Sequence, residues 1–162
     1  MIRIFGPALA PVLQPHEIPE GLTEEKARWT LQHLGVPTSI GDVVVTDLHS
    51  MVPVGEFLTG LELPPWARSK NILKLGLFLD GFICLDGVDG AVLLLTRELE
   101  EAPPRLADDL ESFVSALVSV SEATARRRHS PETDIHTLKA RVAHITHGTS
   151  DVWERMIESL MG

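Results

Sequence analysis

Apolar and polar positions follow two rhythms along this chain. Between residues 71 and 96, "NILKLGLFLDGFICLDGVDGAVLLLT", apolar runs of strand length are broken by Asp80-Gly81 and then by Asp86-Gly87 with Asp89-Gly90. Asp and Gly at such spacing supply turn chemistry, so the segment predicts a three-stranded antiparallel meander with strands near 71–76, 82–86 and 91–96. Its runs are too continuously apolar for a half-exposed sheet, so part of the meander is expected to be covered on both faces. A shorter β-branched run, "DVVVTDL" at 42–48, predicts one more strand. Between them, "HSMVPVGEFLTGLELPPWARS" carries three prolines and two glycines and reads as a long irregular surface connection.

The second rhythm is helical. Leu110, Phe113, Val114, Leu117 and Val118 recur at i, i+3, i+4, i+7 and i+8, and Asp108 with Glu111 resembles a capping pair. A helix over about 109–124 follows, with "ARRRHSPETD" as a polar hinge behind it. "IHTLKARVAHITHG" predicts a further helix ending at Gly148. "TSDVWERMIESLMG" predicts a last one, capped by Ser150 and docked through Val152, Trp153, Met156, Ile157 and Leu160. Near the start, "GLTEEKARWTLQHLG" predicts a helix over about 23–34, with Thr23 as N-cap and Gly35 as its stop. Residues 1–21 read as an irregular lead, and residues 1–162 as a single domain.

Composition narrows the function classes. Fourteen Lys and Arg against 23 Asp and Glu give a formal charge of −9, which repels phosphate backbones and attracts basic surfaces. With no Tyr, three Trp and five Phe, a stacking platform for bases has little to be built from. The single cysteine, Cys84, has no disulfide partner within the chain and falls inside an apolar run, the setting of a buried inert thiol. Pro7, Pro11 and Pro15 interrupt the early apolar stretch before a secretory h-region develops, and no run approaches the ~18 residues of a membrane span. A cytoplasmic location is the expectation, without membrane or direct nucleic-acid binding.

Candidate chemistry is sparse. A calcium loop needs five or more oxygen ligands and a late bidentate Glu, whereas "DGVDG" supplies two acids; a carboxylate pair for hydrolysis needs a cleft, and two acids in one tight turn point outward. We read Asp86 and Asp89 as turn residues. His144 and His147 share a helix face, yet no HExxH or CxxC spacing supplies further zinc ligands. Neither a GxSxG elbow nor a GxGxxG or GxxxxGK[ST] loop is present. "ARRRH" at 125–129 is a basic helix end, which suits the dipole there. By contrast "RELEEAPPRLADDLE" concentrates Glu98, Glu100, Glu101, Asp108, Asp109 and Glu111. Such a run is a solvated face or the display of a module that captures a basic protein.

The segment "LG...DGFICLD..DGAVLLL", then "LADDLESFVSAL", and finally the Trp-bearing "DVWERMIESL" together resemble the SUKH superfamily of bacterial immunity proteins, particularly its fourth subfamily. The opening "LTEEKARWTLQHLGVP" is similar to that subfamily's first helix, so the likeness spans about residues 22–160. Gly76, Ile83, Cys84, Leu85, Asp86, Gly90 and Val92 match its strand and turn pattern, and Phe113 and Trp153 its helix anchors. The resemblance implies an α+β domain, an antiparallel sheet with helices packed around it, and no catalysis; from the residues themselves no cofactor or metal is expected. The resemblance also implies a role in neutralising a polymorphic toxin by direct binding. Such toxins often act on nucleic acid and tend to be basic, which agrees with the acidic charge. The contact residues expected on this reading are Trp66, as an aromatic anchor, and Asp80, Asp86, Asp89, Glu100, Glu101, Asp108 and Asp109. Two other readings stay open: an interaction scaffold of the same fold without a toxin, and a small-molecule or metal-binding enzyme or sensor using His33, His49, His144 and His147.

Overall fold

A computed structural model describes residues 11–161 apart from 42, 79–80, 97, 99–102, 130–134 and 148–149. Among these, six strands form one antiparallel sheet in which every strand lies beside its sequence neighbour: β1 (Ser39–Ile40), β2 (Val44–Thr46), β3 (Ile72–Phe78), β4 (Gly81–Asp86), β5 (Val92–Leu95) and β6 (Arg105–Ala107). The predicted meander is its centre, β3 to β5. Helix α1 (Glu25–Trp29), which continues as a π-helical turn over Thr30–Leu34, precedes the sheet, and α2 (Val54–Phe57) lies within the connection from β2 to β3. Three longer helices follow β6: α3 (Leu110–His129), α4 (Ile135–Thr146) and α5 (Ser150–Met161). The chain is thus an α+β fold.

Apolar alternation sorts the strand residues onto two faces. Leu73, Leu75 and Phe78 of β3, Ile83 and Leu85 of β4, and Val92 and Leu94 of β5 point to the main core, where α1, α3, α4 and α5 cover them. Ile72, Cys84, Leu93 and Leu95 point the other way, into a second cluster with Val54, Leu63 and Ala67. The expected two-sided cover is therefore present, and the 49–69 connection supplies it. It is not merely irregular surface: it pairs with the sheet through Pro53 and Leu73, forms α2 and a 3-10 turn at Pro65–Arg68, and contributes Val54, Leu63 and Ala67 to the second cluster. Burial in this cluster pushes the Cys84 thiol up to about 12, as expected of an inert buried cysteine.

Several element ends differ from the sequence expectation. The N-cap of α1 is Glu24, whose carboxylate accepts from the Lys26 and Ala27 amides, and not Thr23, whose hydroxyl instead donates to the Gly87 carbonyl. The cap of α3 is Asp109, which accepts from the Ser112 amide at 2.7 Å, and not Asp108. That helix also runs through 125–129 to His129 instead of stopping at 124, because Ala and Arg are strong helix formers and no breaker precedes Pro131. The expected turn at Asp80 and the caps at Ser150 and Gly148 lie outside the described residues and side chains. Between Lys74 and Gly76 the register of β3 slips, and a Cβ at Gly76 would overlap the Val45 carbonyl of β2, so only glycine allows the strands to pair there.

Candidate partner-binding surface

The turn joining β4 to β5 organises itself with its own acids. Asp86 Oδ1 accepts from the Val88 amide at 2.9 Å and the Asp89 amide at 3.4 Å, and Asp89 Oδ1 accepts from Ala91 at 2.8 Å. Gly90, at φ 83°, closes the turn with an N–H donated to the Asp86 carbonyl at 2.8 Å. These carboxylates act as backbone acceptors, the role read for them from sequence.

Tertiary contacts then bring this turn against the start of α1. The Gly87 carbonyl accepts from the Thr23 and Glu24 amides at 2.8 and 2.9 Å, and from the Thr23 hydroxyl at 3.1 Å. Asn71 clamps the same junction, donating its side-chain amide to the Gly21 carbonyl and accepting the Gly87 amide, both at 2.8 Å. Gly90 lies so close to the Glu24 carboxylate that a Cβ there would stand 2.9 Å from its Oε2. The acids of the turn and those of α1 thereby share one edge.

That edge continues to the start of α3. Lys26 reaches across from α1 to Asp109 at 3.0 Å and Glu111 at 3.7 Å. The hydrogen bond to Asp109 raises the Lys26 ammonium above its ordinary value, against a smaller opposing effect of desolvation, and Glu111 adds to the rise. For Asp109, partial burial alone would raise the carboxyl, but the Ser112 amide, the Lys26 ammonium and the Ser112 hydroxyl together hold it below the usual carboxylate value. Asp108, next in line, pairs with Arg105 at 3.2 Å and approaches His147 Nδ1 at 3.5 Å. The result is a seam holding Glu24, Glu25, Asp86, Asp89, Asp108, Asp109 and Glu111 in which Lys26 and Arg105 neutralise only part of the charge.

Two apolar side chains stand out beside these acids. Val88, at the tip of the turn, is 61% exposed, and Trp29, one helical turn beyond Glu25 on α1, is 50% exposed and stacked on His33 with ring centroids 4.9 Å apart. Neither stands out in the sequence, because local pattern does not tell which side of a short helix or which residue of a turn is left facing solvent. Trp66, the aromatic chosen from sequence, is half-buried on the 65–68 turn and packs against the second cluster. The structure thus joins Asp86 and Asp89 to Asp108 and Asp109, and places Trp66 in the layer around α2; Asp80, Glu100 and Glu101 lie outside the described residues.

Among the described residues no group of three or more His, Cys, Asp or Glu is placed to hold a metal ion. The rings of His144 and His147 are 6.2 Å apart, edge to face, at the exposed end of α4. No helix of the described residues is long and apolar enough to cross a membrane.

Comparison with known proteins adds one match: a family model described as SUKH-4 immunity protein matches residues 1–157. No curated protein and no solved structure matches the chain.

Proposed function

The chain belongs to the SUKH-4 immunity protein family, and from that premise we propose that it protects the cell that makes it by binding a cognate toxin and covering the toxin's working surface. The partner is a basic toxin that acts on nucleic acid, met in the cytoplasm. An enzyme of that kind presents positive charge to phosphates, and an acidic inhibitor can occupy the same surface with no chemistry of its own.

The observation that carries this reading is the merging of three acidic segments, distant in sequence, into the seam between the β4–β5 turn, α1 and α3. Opposed charge speeds encounter and discriminates against wrong partners, while exposed Val88 and Trp29 beside the acids offer apolar anchors that slow dissociation. Asp86 and Asp89, which also shape their turn, and Asp108 and Asp109 are the contact acids, joined by Glu25 and Glu111. Trp66, Asp80, Glu100 and Glu101 remain contact positions of the same proposal.

Co-expression with the cognate toxin tests it. The chain restores growth and co-purifies with the toxin, and a Glu25→Lys, Asp89→Lys, Glu111→Lys variant with unchanged circular dichroism loses both. Full protection by that variant removes the seam from the interface, and absence of both protection and co-purification with the wild-type chain removes the immunity reading itself.

A further inference from the structure

We propose that Trp29 and His33 on α1 form a seat for an arginine side chain of a basic partner protein. The seat belongs to the surface proposed for the toxin and rests on that reading only for which protein brings the arginine. Ala27, Thr30 and Leu31 fill the buried side of the helix, so the fold leaves Trp29 half exposed on the solvent side. Its indole is nonetheless held in place. The His33 ring stacks on it with 21° between the planes, and His33 Nδ1 lies 3.0 Å from the Trp29 carbonyl. A carbonyl only accepts, so Nδ1 carries the hydrogen and the imidazole is anchored to the helix. Directly after Trp29 the helix widens into the π turn, which the Gly35 amide closes on the Thr30 carbonyl at 2.9 Å. Such turns frequently accompany functional sites. An aromatic surface fixed before binding loses little side-chain freedom when a ligand covers it.

Charge and shape select the occupant. The seam beside the rings holds Glu24, Glu25, Asp86, Asp89, Asp108, Asp109 and Glu111 against Lys26, Arg28 and Arg105, and Lys26 and Arg105 are already paired within it. A negative excess remains for a cation to meet. Exposed Arg28 lies about 100° round the helix from Trp29, whereas Glu25 stands one turn before Trp29 on the same side. A guanidinium lies flat on an indole face, attracted by the ring's quadrupole, while its edge N–H groups stay free to donate to the Glu25 carboxylate. An ammonium is a strongly hydrated point charge and gives up more water to sit on the ring. An aliphatic side chain would cover the ring and leave the neighbouring acids without a cation, and a second copy of this chain brings the same −9.

Titration of the full chain with end-blocked tetra-arginine and tetra-lysine peptides tests the seat without any toxin, the indole N–H resonance of Trp29 being identified by its loss in Trp29→Leu. The two peptides carry equal charge, so an acidic seam alone binds both to the same degree. Tetra-arginine is expected to bind the tighter and to move the Trp29 resonance. Trp29→Leu, with circular dichroism unchanged, weakens tetra-arginine about two- to fivefold, the worth of an exposed cation–π contact, and tetra-lysine by less. Glu111→Lys weakens both peptides alike and keeps their ratio. Equal affinity for the two peptides overturns the proposal, as does an arginine preference that survives in Trp29→Leu. In complex with the cognate toxin, where water is excluded, Trp29→Leu costs at least about tenfold in affinity. Full toxin affinity in that variant overturns the seat and leaves the immunity reading standing. A wild-type chain that prefers tetra-arginine but neither binds the toxin nor protects against it removes the immunity reading and supports the seat.

Discussion

Asp109 caps α3, holds Lys26 and closes the acidic seam. Replacing it with Ala removes a side-chain cap and is expected to cost about 0.5–2 kcal/mol, read as a lower denaturation midpoint. Asn keeps the capping oxygen but not the charge, so Asp109→Asn gives up only the charge-dependent part of that stability, a part fully present near neutrality. The folded carboxyl sits below its ordinary value of 3.8, so its contribution is complete above 3.8 and fades as pH falls through the lower folded value. Lys26 mirrors it: raised above 10.5, its contribution is complete below 10.5 and fades as pH rises through the folded value. Stability measured from neutral pH into acid therefore falls less steeply for Asp109→Asn than for wild type; identical slopes would remove the pairing. Either Asp of "ADDLE" could cap a helix, and nothing local chooses between them. The choice is made by Thr146 and His147 at the end of α4, which receive the Asp108 amide and face its carboxylate.

Trp153 shows how an element is pinned once its face has been chosen. The stripe on α5 was legible as Val152, Trp153, Met156, Ile157 and Leu160, of which the first four are buried and Leu160 is half-buried against the same core. The stripe does not say what the indole N–H meets. It donates to the Leu106 carbonyl of β6 at 2.7 Å, and the ring packs against Phe113 with centroids 5.8 Å apart, so one side chain ties α5 to the sheet edge and to α3. Trp153→Phe keeps most of the apolar area and strands a buried carbonyl, an expected loss of about 1–3 kcal/mol in chemical denaturation. A loss no larger than that of an exposed substitution would show that water or a neighbouring donor replaces the indole. The long helices and the central meander were readable because their periodic stripes are long. Strands β1 and β6, of two and three residues, and four-residue α2 have no period to read and exist because a neighbour offers backbone partners or an apolar surface.

Charge acts on the molecule as a single object. With −9 on the chain and seven of its 23 acids along one seam, affinity for a basic toxin is expected to fall steeply between low and high salt, since exposed charges are screened beyond about 8–10 Å at physiological ionic strength. Titration calorimetry across that range checks it, and a flat response would place the interface elsewhere. The acidic balance, the apolar meander, the striped helices and the turn role of Asp86 and Asp89 follow from the sequence alone, because each is a matter of composition or of spacing within one segment. That Thr23 meets Gly87, 64 residues away, and that Lys26 meets Asp109, 83 residues away, is decided only when the chain packs. Those two contacts turn scattered acids into a continuous surface, since charge adds up across space while sequence records only neighbours along the backbone.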